Sequence, residues 1–287
     1  MVVIRKKIRD KKTYFYLEQS IRQGKKVLKK QQYLGTSVPY DIDKLIIEFE
    51  KEIELELVAK LRRIKEYFQN EWKKVPPSAK EKQLEEIAIA FTYNTNAIEG
   101  STITLEETRG IIHDKISPNK PLRDVKETEA HARLFLEMLR KRENLTKQIL
   151  LRWHDEIFKD TKPDISGKFR DYLVRVGDYR APDWQNIEKL IGDLINFIRK
   201  NQGMNPVLLS ARVHYHFEKI HPFGDGNGRI GRLLMNQILW HGGYPMLIIE
   251  YKKRNSYYKA FSKDETSFVT YFVRRYLSVH KDGNSLK

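Results

Sequence analysis

His221-Pro222-Phe223-Gly224-Asp225-Gly226-Asn227-Gly228-Arg229-Ile230-Gly231-Arg232 is the stretch that decides how this 287-residue chain is read. Just upstream, Asn205-Pro206 caps and opens a helix in which Leu209, Val213, Phe217 and Ile220 share one face. That helix should stop at Ile220, because Pro222 disfavours helical geometry at the residue before it. Downstream, Ile230, Leu233, Leu234 and Ile238 mark a second helix ending near Gly242-Gly243. The unit is helix, glycine-rich loop, helix. Glycines ahead of a helix start let the backbone approach a ligand closely. The free N–H groups and the dipole of the first turn then favour an anion such as phosphate.

The side chains around this cradle suit the same guest. Arg229 and Arg232 stand three apart, on neighbouring positions of the first turns, and can grip successive phosphates of one nucleotide. Asp225 offers a hard oxygen ligand for Mg2+, which takes one or two carboxylates and completes its octahedron with phosphate oxygens and water. His221 borders the loop, and an imidazole with a pKa near ~6.5 is matched to accepting a hydroxyl proton at neutral pH. Gly226, Gly228 and Gly231 also spell a GxGxxG pattern, but they follow a helix rather than a strand, which excludes a dinucleotide-binding Rossmann unit.

Residues 221–232 resemble the signature of the Fic family, His-Pro-Phe-x-Asp-Gly-Asn-Gly-Arg-x-x-Arg, at all nine specified positions. The similarity extends over Ala211-Arg212-Val213-His214-Tyr215-His216-Phe217-Glu218 and, more loosely, over about residues 90–260, leaving the first 75 residues outside it. The resemblance implies a protein adenylyltransferase that moves AMP from ATP onto a Ser, Thr or Tyr hydroxyl and releases pyrophosphate. It makes His221 the catalytic base and Asp225 the Mg2+ ligand. Gly226, Asn227 and Gly228 become phosphate binders, and Arg229 and Arg232 hold the β- and γ-phosphates. Family members that transfer phosphate instead carry lysine at the position of Gly228.

Upstream, Thr95-Asn96-Ala97-Ile98-Glu99-Gly100 is similar to the inhibitory-helix motif of the same family. The resemblance implies that Glu99 pairs with Arg232, takes the place of the ATP γ-phosphate and holds the enzyme autoinhibited. In some relatives this glutamate instead positions water for removal of AMP from a modified target.

Farther out, the pattern is mainly helical. Leu45, Ile46, Phe49, Ile53, Leu57 and Leu61 predict a long amphipathic helix from residue 41 to about 72, broken at Pro76-Pro77. Ser78 with Glu81 predicts a capping box for a second helix running to about Ile98, where Gly100 suits the stop. Thr104 with Glu107 repeats that pattern, and further helices are expected near residues 124–142, 146–159 and 184–200. Alternation through Tyr172, Val174 and Val176 predicts a short strand or hairpin within residues 169–179, a flap able to pair with an extended target segment. Residues 13–17 and 26–34 are β-friendly and flank Gln23-Gly24, which reads as a hairpin turn. The expected architecture is thus a mainly α Fic-type helical bundle with a β-hairpin flap and a small N-terminal β-hairpin. It divides into a basic module at 1–38, N-terminal helices at 39–100 and the Fic domain with C-terminal helices at 101–287.

Composition narrows the chemistry. With no cysteine, thiol nucleophiles, thiolate metal sites and disulfides are excluded. His214 and His216, two apart on a helix, diverge and cannot chelate together, so zinc is not expected and His214 reads as a packed helix residue. Tyr251, Tyr257, Tyr258 and Phe261 around Arg254 read as core packing ahead of an adenine pocket. No apolar run approaches the roughly 20 residues that span a bilayer, and residues 1–12 lack a signal peptide's apolar stretch, so a cytoplasmic setting is expected. The last residues, 281–287, read as a frayed tail. Of the formal +16, residues 1–35 hold +9, with 11 Lys or Arg against two acids. The expected partner is a protein with a surface hydroxyl. A second copy of the chain and a nucleic acid on residues 1–35 are left open.

Overall fold

Among the described residues five hydrophobic clusters form, and the loop of residues 221–226 lies between two helices of the largest. The computed structural model describes residues 2–23 and 26–280; the expected turn at Gln23-Gly24 and the expected tail at 281–287 therefore fall wholly or partly outside the described residues. Among the described residues no helix is long and apolar enough to cross a membrane.

The chain opens with three antiparallel strands, β1 (Val3–Arg9), β2 (Lys12–Gln23) and β3 (Lys26–Gly35), paired in the order β1-β2-β3. The expected two-stranded hairpin is thus a three-stranded meander. Its first turn went unread because Asp10 and Lys11 carry the positive φ angles, 47° and 62°, that such a tight turn requires, with no glycine to mark it. Leu17 on β2 packs with Phe49 and Ile53 of α1 (Ile42–Lys74), anchoring the sheet to that helix.

Next, α2 (Pro77–Ile98) begins directly at Pro77 with Pro76 as its cap residue. No side-chain capping bond forms, so the expected Ser78–Glu81 box is absent. Proline at the first helical position has no N–H to satisfy and a φ already set for the helix. Glu99 caps the carboxyl end and Gly100 follows at φ 92°, as expected of a helix stop. The Thr104–Glu107 capping box does form at α3 (Leu105–Arg109). Then come α4 (Leu122–Arg140), α5 (Lys147–Phe158), the flap strands β4 (Arg175–Val176) and β5 (Tyr179–Arg180), and α6 (Ile187–Lys200). The flap strands are shorter and later than the predicted 169–179 segment.

At the centre, α7 (Pro206–Ile220) and α8 (Asn227–His241) bracket the loop. Asn205 Oδ1 accepts from the Val207 N–H at 2.9 Å, fixing the start of α7 as predicted. Along α8 the residues from Asn227 to Leu239 are all buried, packed on α7, α4, α2 and α5. A helix covered on every side holds its first turn rigidly. Finally, α9 (Arg254–Phe261) and α10 (Glu265–Val279) cover the outer face of α7.

Candidate active site

The turn from α7 into the loop is made by His221 itself, which adopts the left-handed conformation (φ 50°, ψ 61°). Pro222 bars His221 from continuing the helix, and the buried Arg170 side chain holds the turn by its carbonyl. Arg170 Nε donates to the His221 carbonyl at 2.8 Å, Nη1 to the Tyr172 carbonyl at 2.6 Å and Nη2 to the Pro182 carbonyl at 2.7 Å. The Arg170 N–H also donates to the Pro222 carbonyl at 2.9 Å. Arg170 thus ties the histidine turn to both ends of the flap.

Within the loop, Asn227 Oδ1 accepts from the Phe223 N–H and its Nδ2 donates to the Phe223 carbonyl, both at 2.8 Å. The Asn227 side chain is a staple, which leaves its backbone N–H as the group available to an anion. His154 supports the loop from α5: its Nδ1 accepts from the Gly167 N–H at 3.1 Å, so its Nε2 donates to the Asp225 carbonyl at 3.1 Å. The imidazole stacks on Phe223 at 4.0 Å, and burial pushes its pKa down to about 4, which keeps it neutral. Gly226 caps α8 at φ 76°, and a Cβ there would run into the Phe158 ring.

At the amino end of α8 the first N–H groups have no intrahelical partner. The Glu99 carboxylate sits at that point. A Cβ on Gly228 would collide with Glu99 Oε1, so only glycine lets the carboxylate come so close to the helix start. Arg232 Nη2 donates to Glu99 Oε1 at 2.6 Å, and Arg232 Nε to Thr95 Oγ1 at 3.1 Å. The Arg232 side chain is 1% exposed and Glu99 30% exposed. Burial disfavours the charge on Arg232, but the adjacent Glu99 carboxylate outweighs it and holds the pKa above the ordinary arginine value. Near Arg232, burial pushes the Glu218 carboxyl up to about 8.

Arg229 is engaged elsewhere. Its Nη1 donates to Glu127 Oε2 at 2.5 Å, and its guanidinium lies over the Phe158 ring at 4.4 Å. Burial would raise the Glu127 pKa, yet the Arg229 charge outweighs it and the net shift is downward. Lys162 Nζ donates to Asp225 Oδ2 at 2.5 Å and lies 3.4 Å from Glu127. Asn96, Glu99, Glu127, Lys162, Asp225 and Arg229 line one cavity of about 310 Å3. The cavity therefore gathers Glu99, Asp225 and Arg229 of the sequence-predicted residues, with Gly228 and Arg232 directly behind Glu99. Burial also pushes the His221 imidazole below its ordinary pKa, the Glu218 backbone opposing the shift.

Of the four carboxylates that line this cavity, Glu99 is paired with Arg232, Glu127 with Arg229 and Asp225 with Lys162, and no group of three or more metal-ligating side chains gathers among the described residues. That donor set fits Mg2+ carried in by a nucleotide, which needs only one or two protein carboxylates. His214 is buried with Nε2 2.7 Å from the Tyr257 hydroxyl, a packed helix residue as predicted, while His216 faces Glu265. Tyr257 is core, and Tyr258 donates to the Ile98 carbonyl at 3.1 Å beside the end of α2. Sequence reasoning missed Glu127, His154, Lys162 and Arg170. Each is a lone polar residue far from the loop in sequence, and no motif signals it.

Comparison with known proteins bears on the family and the fold. Residues 144–239 match the Fic/DOC family. The chain is 31% identical over 198 residues to the protein adenylyltransferase Fic of Nematostella vectensis, covering 67% of this chain and 46% of the relative. It thus spans less than half the length of that relative. Among solved structures, a Fic family protein from Desulfovibrio desulfuricans superposes with a TM-score of 0.66 at 26% identity, covering 79% of this chain and 73% of the other. Fic-1 of C. elegans superposes with a TM-score of 0.69 at 23% identity over 85% of this chain and 77% of the other, a likeness of fold. The signature loop, the match over residues 144–239 and the helical architecture show that the chain carries a Fic/DOC-family domain.

Proposed function

We propose that this protein transfers AMP from ATP to a Ser, Thr or Tyr hydroxyl of a target protein and of itself, and that Glu99 holds the activity in check. The observation that carries this reading is the Glu99 carboxylate lodged on Arg232 over Gly228, at the anion-seeking end of α8. A carboxylate there stands where a terminal phosphate would seat. With Glu99 displaced, Arg232 and the backbone of Gly226, Asn227 and Gly228 receive the phosphates. Arg229 must exchange Glu127 for phosphate oxygen or act from where it stands.

The chemistry asked of the protein is modest. A target hydroxyl attacks the α-phosphorus, its proton passes to the imidazole of His221, and the bond to the bridging α,β-oxygen breaks to release pyrophosphate. His221 has the protonation state for this, because its lowered pKa leaves the ring neutral at pH 7. Mg2+ held by Asp225 would supply charge neutralisation on the phosphates. Names of the relatives, protein adenylyltransferases, support the reaction class.

A second reading rests on the same carboxylate. Glu99 lines the cavity beside Asp225, which also suits positioning a water for hydrolysis of AMP from a modified target. The test of both is incubation of wild type and Glu99→Gly with α- or γ-labelled ATP, Mg2+ and cell lysate. Protein labelled from the α-phosphate and stronger in the variant supports AMP transfer; label from the γ-phosphate alone makes the protein a kinase and ends the proposal. Release of AMP from labelled target by wild type but not by the variant supports the second reading.

A further inference from the structure

The N-terminal sheet has two unlike faces. In a strand, alternate side chains point to opposite sides, and the register sorts them. Leu17 on one side packs on Phe49 and Ile53, and Lys30 on that side is held by Glu52 at 3.0 Å and Glu56 at 2.6 Å, both on α1. The other side turns to solvent. It brings together Arg5, Lys7 and Arg9 of β1, Lys12, Tyr14, Tyr16 and Glu18 of β2, and Lys29, Gln31 and Tyr33 of β3.

Five cations and one acid share that outer face. The acid is spent within it: Glu18 is buried, lies 3.5 Å from Arg5 Nε and 3.4 Å from Lys29 Nζ, and accepts a hydrogen bond from Gln31. Arg9 and Lys12 are exposed at the far, turn end of the β1–β2 ladder. Between the cationic edges stand three tyrosine rings. Tyr33 lies 5.3 Å from Tyr16 and 6.3 Å from Tyr14, centroid to centroid, and Tyr33 is 54% exposed. Lys7 Nζ sits 4.5 Å above the Tyr16 ring and donates to Gln31 at 2.8 Å.

We infer that this face binds single-stranded nucleic acid, phosphates along Arg5, Arg9, Lys12 and Lys29, and bases against Tyr14, Tyr16 and Tyr33. Flat aromatic side chains between rows of cations, raised on a rigid sheet, are what sequence-tolerant strand binders use, because every unpaired base has a π-face to stack. A duplex hides those faces, so it would engage the cations and leave the rings idle. An acidic peptide would do the same. Because the sheet is anchored on α1 in a cluster separate from those that build the nucleotide cavity, this inference stands apart from the proposed AMP transfer.

The experiment uses the intact chain and fluorescence anisotropy with labelled oligo-dT, oligo-U, and a mixed-sequence duplex of equal length. Single strands should bind more tightly than the duplex, and the affinity should fall roughly 50-fold between 50 and 200 mM salt if four phosphates are met. Tyr33→Ala should weaken single-strand binding by about tenfold or more while barely altering duplex binding. Arg9→Gln with Lys12→Gln should lower the salt dependence. Both variants should keep the wild-type melting temperature and AMP-transfer rate, showing that the fold is intact. Duplex binding as tight as single-strand binding overturns the inference, as does an unchanged affinity in Tyr33→Ala or no binding at 50 mM salt.

Discussion

Glu99 and Arg232, 133 positions apart, meet at 2.6 Å across the first turn of α8, and Gly228 is the residue whose missing side chain lets them. The pair joins the end of α2 to the amino-terminal end of α8, and under the proposed function it is the contact that would keep a triphosphate from seating fully.

Replacing Glu99 by glycine frees both Arg232 and the helix terminus. Initial rates of α-label transfer should rise on the order of 10²-fold, the scale set by restoring about 1 Å of misalignment. Arg232→Ala placed on top of Glu99→Gly should remove the gain. Rates that do not differ between wild type and Glu99→Gly would dispose of the brake.

His221→Ala should abolish transfer in the Glu99→Gly background. The sign of the pH dependence follows from the direction of the shift: a base whose pKa lies below the ordinary histidine value stays unprotonated further into acid. Activity should therefore hold as pH falls from 8 through about 6.5, where an unperturbed imidazole would be half lost, and decline only below that. Measured kcat/KM against pH checks it; a half-point above the ordinary histidine value contradicts it.

Arg170 is expected to matter although it touches no substrate group. Arg170→Ala removes the donors to the His221, Tyr172 and Pro182 carbonyls, which tie the His221 turn to the flap, at a cost of about 3 kcal/mol by denaturant unfolding. Arg170→Lys should recover little, since one ammonium cannot reproduce a planar fork with three acceptors. The readout specific to positioning is kcat, expected to fall in Arg170→Lys with little change in the KM for ATP.

Glu127→Ala leaves the almost fully buried Arg229 without its carboxylate, and loss of one partner of such a pair costs about 3–5 kcal/mol. Because the Glu127 pKa is lowered in the folded protein, its contribution is complete above the ordinary glutamate value near ~4.3. It is lost as pH falls through the depressed folded value. Unfolding curves from pH 7 to 3 should accordingly show wild type losing its advantage over Glu127→Ala in acid. A constant difference across that range speaks against the ion pair.

Much of the site was legible because it is local. Residues 221–232 carry the loop, the helix start and the arginine spacing within one contiguous stretch. Pro222, Asn205-Pro206 and Gly100 each fix a helix end through the backbone conformation of the residue itself or its neighbour. Where local signals compete, the reading slipped. Pro76-Pro77 started α2 without the Ser78–Glu81 box, and the glycine-free turn at Asp10 and Lys11 concealed β1.

The amino-acid sequence by itself determined the helix-loop-helix cradle and the spacing of the arginines along its second helix. Only the tertiary structure decided which charges answer one another: Glu127 to Arg229 across 102 positions, Lys162 to Asp225 across 63, and Arg170 to the His221 turn across 51. Backbone preferences act over a few residues and leave a trace in the chain. A buried charge takes whichever opposite charge the packing brings within about 4 Å in a medium that screens poorly, and that choice has no local signature.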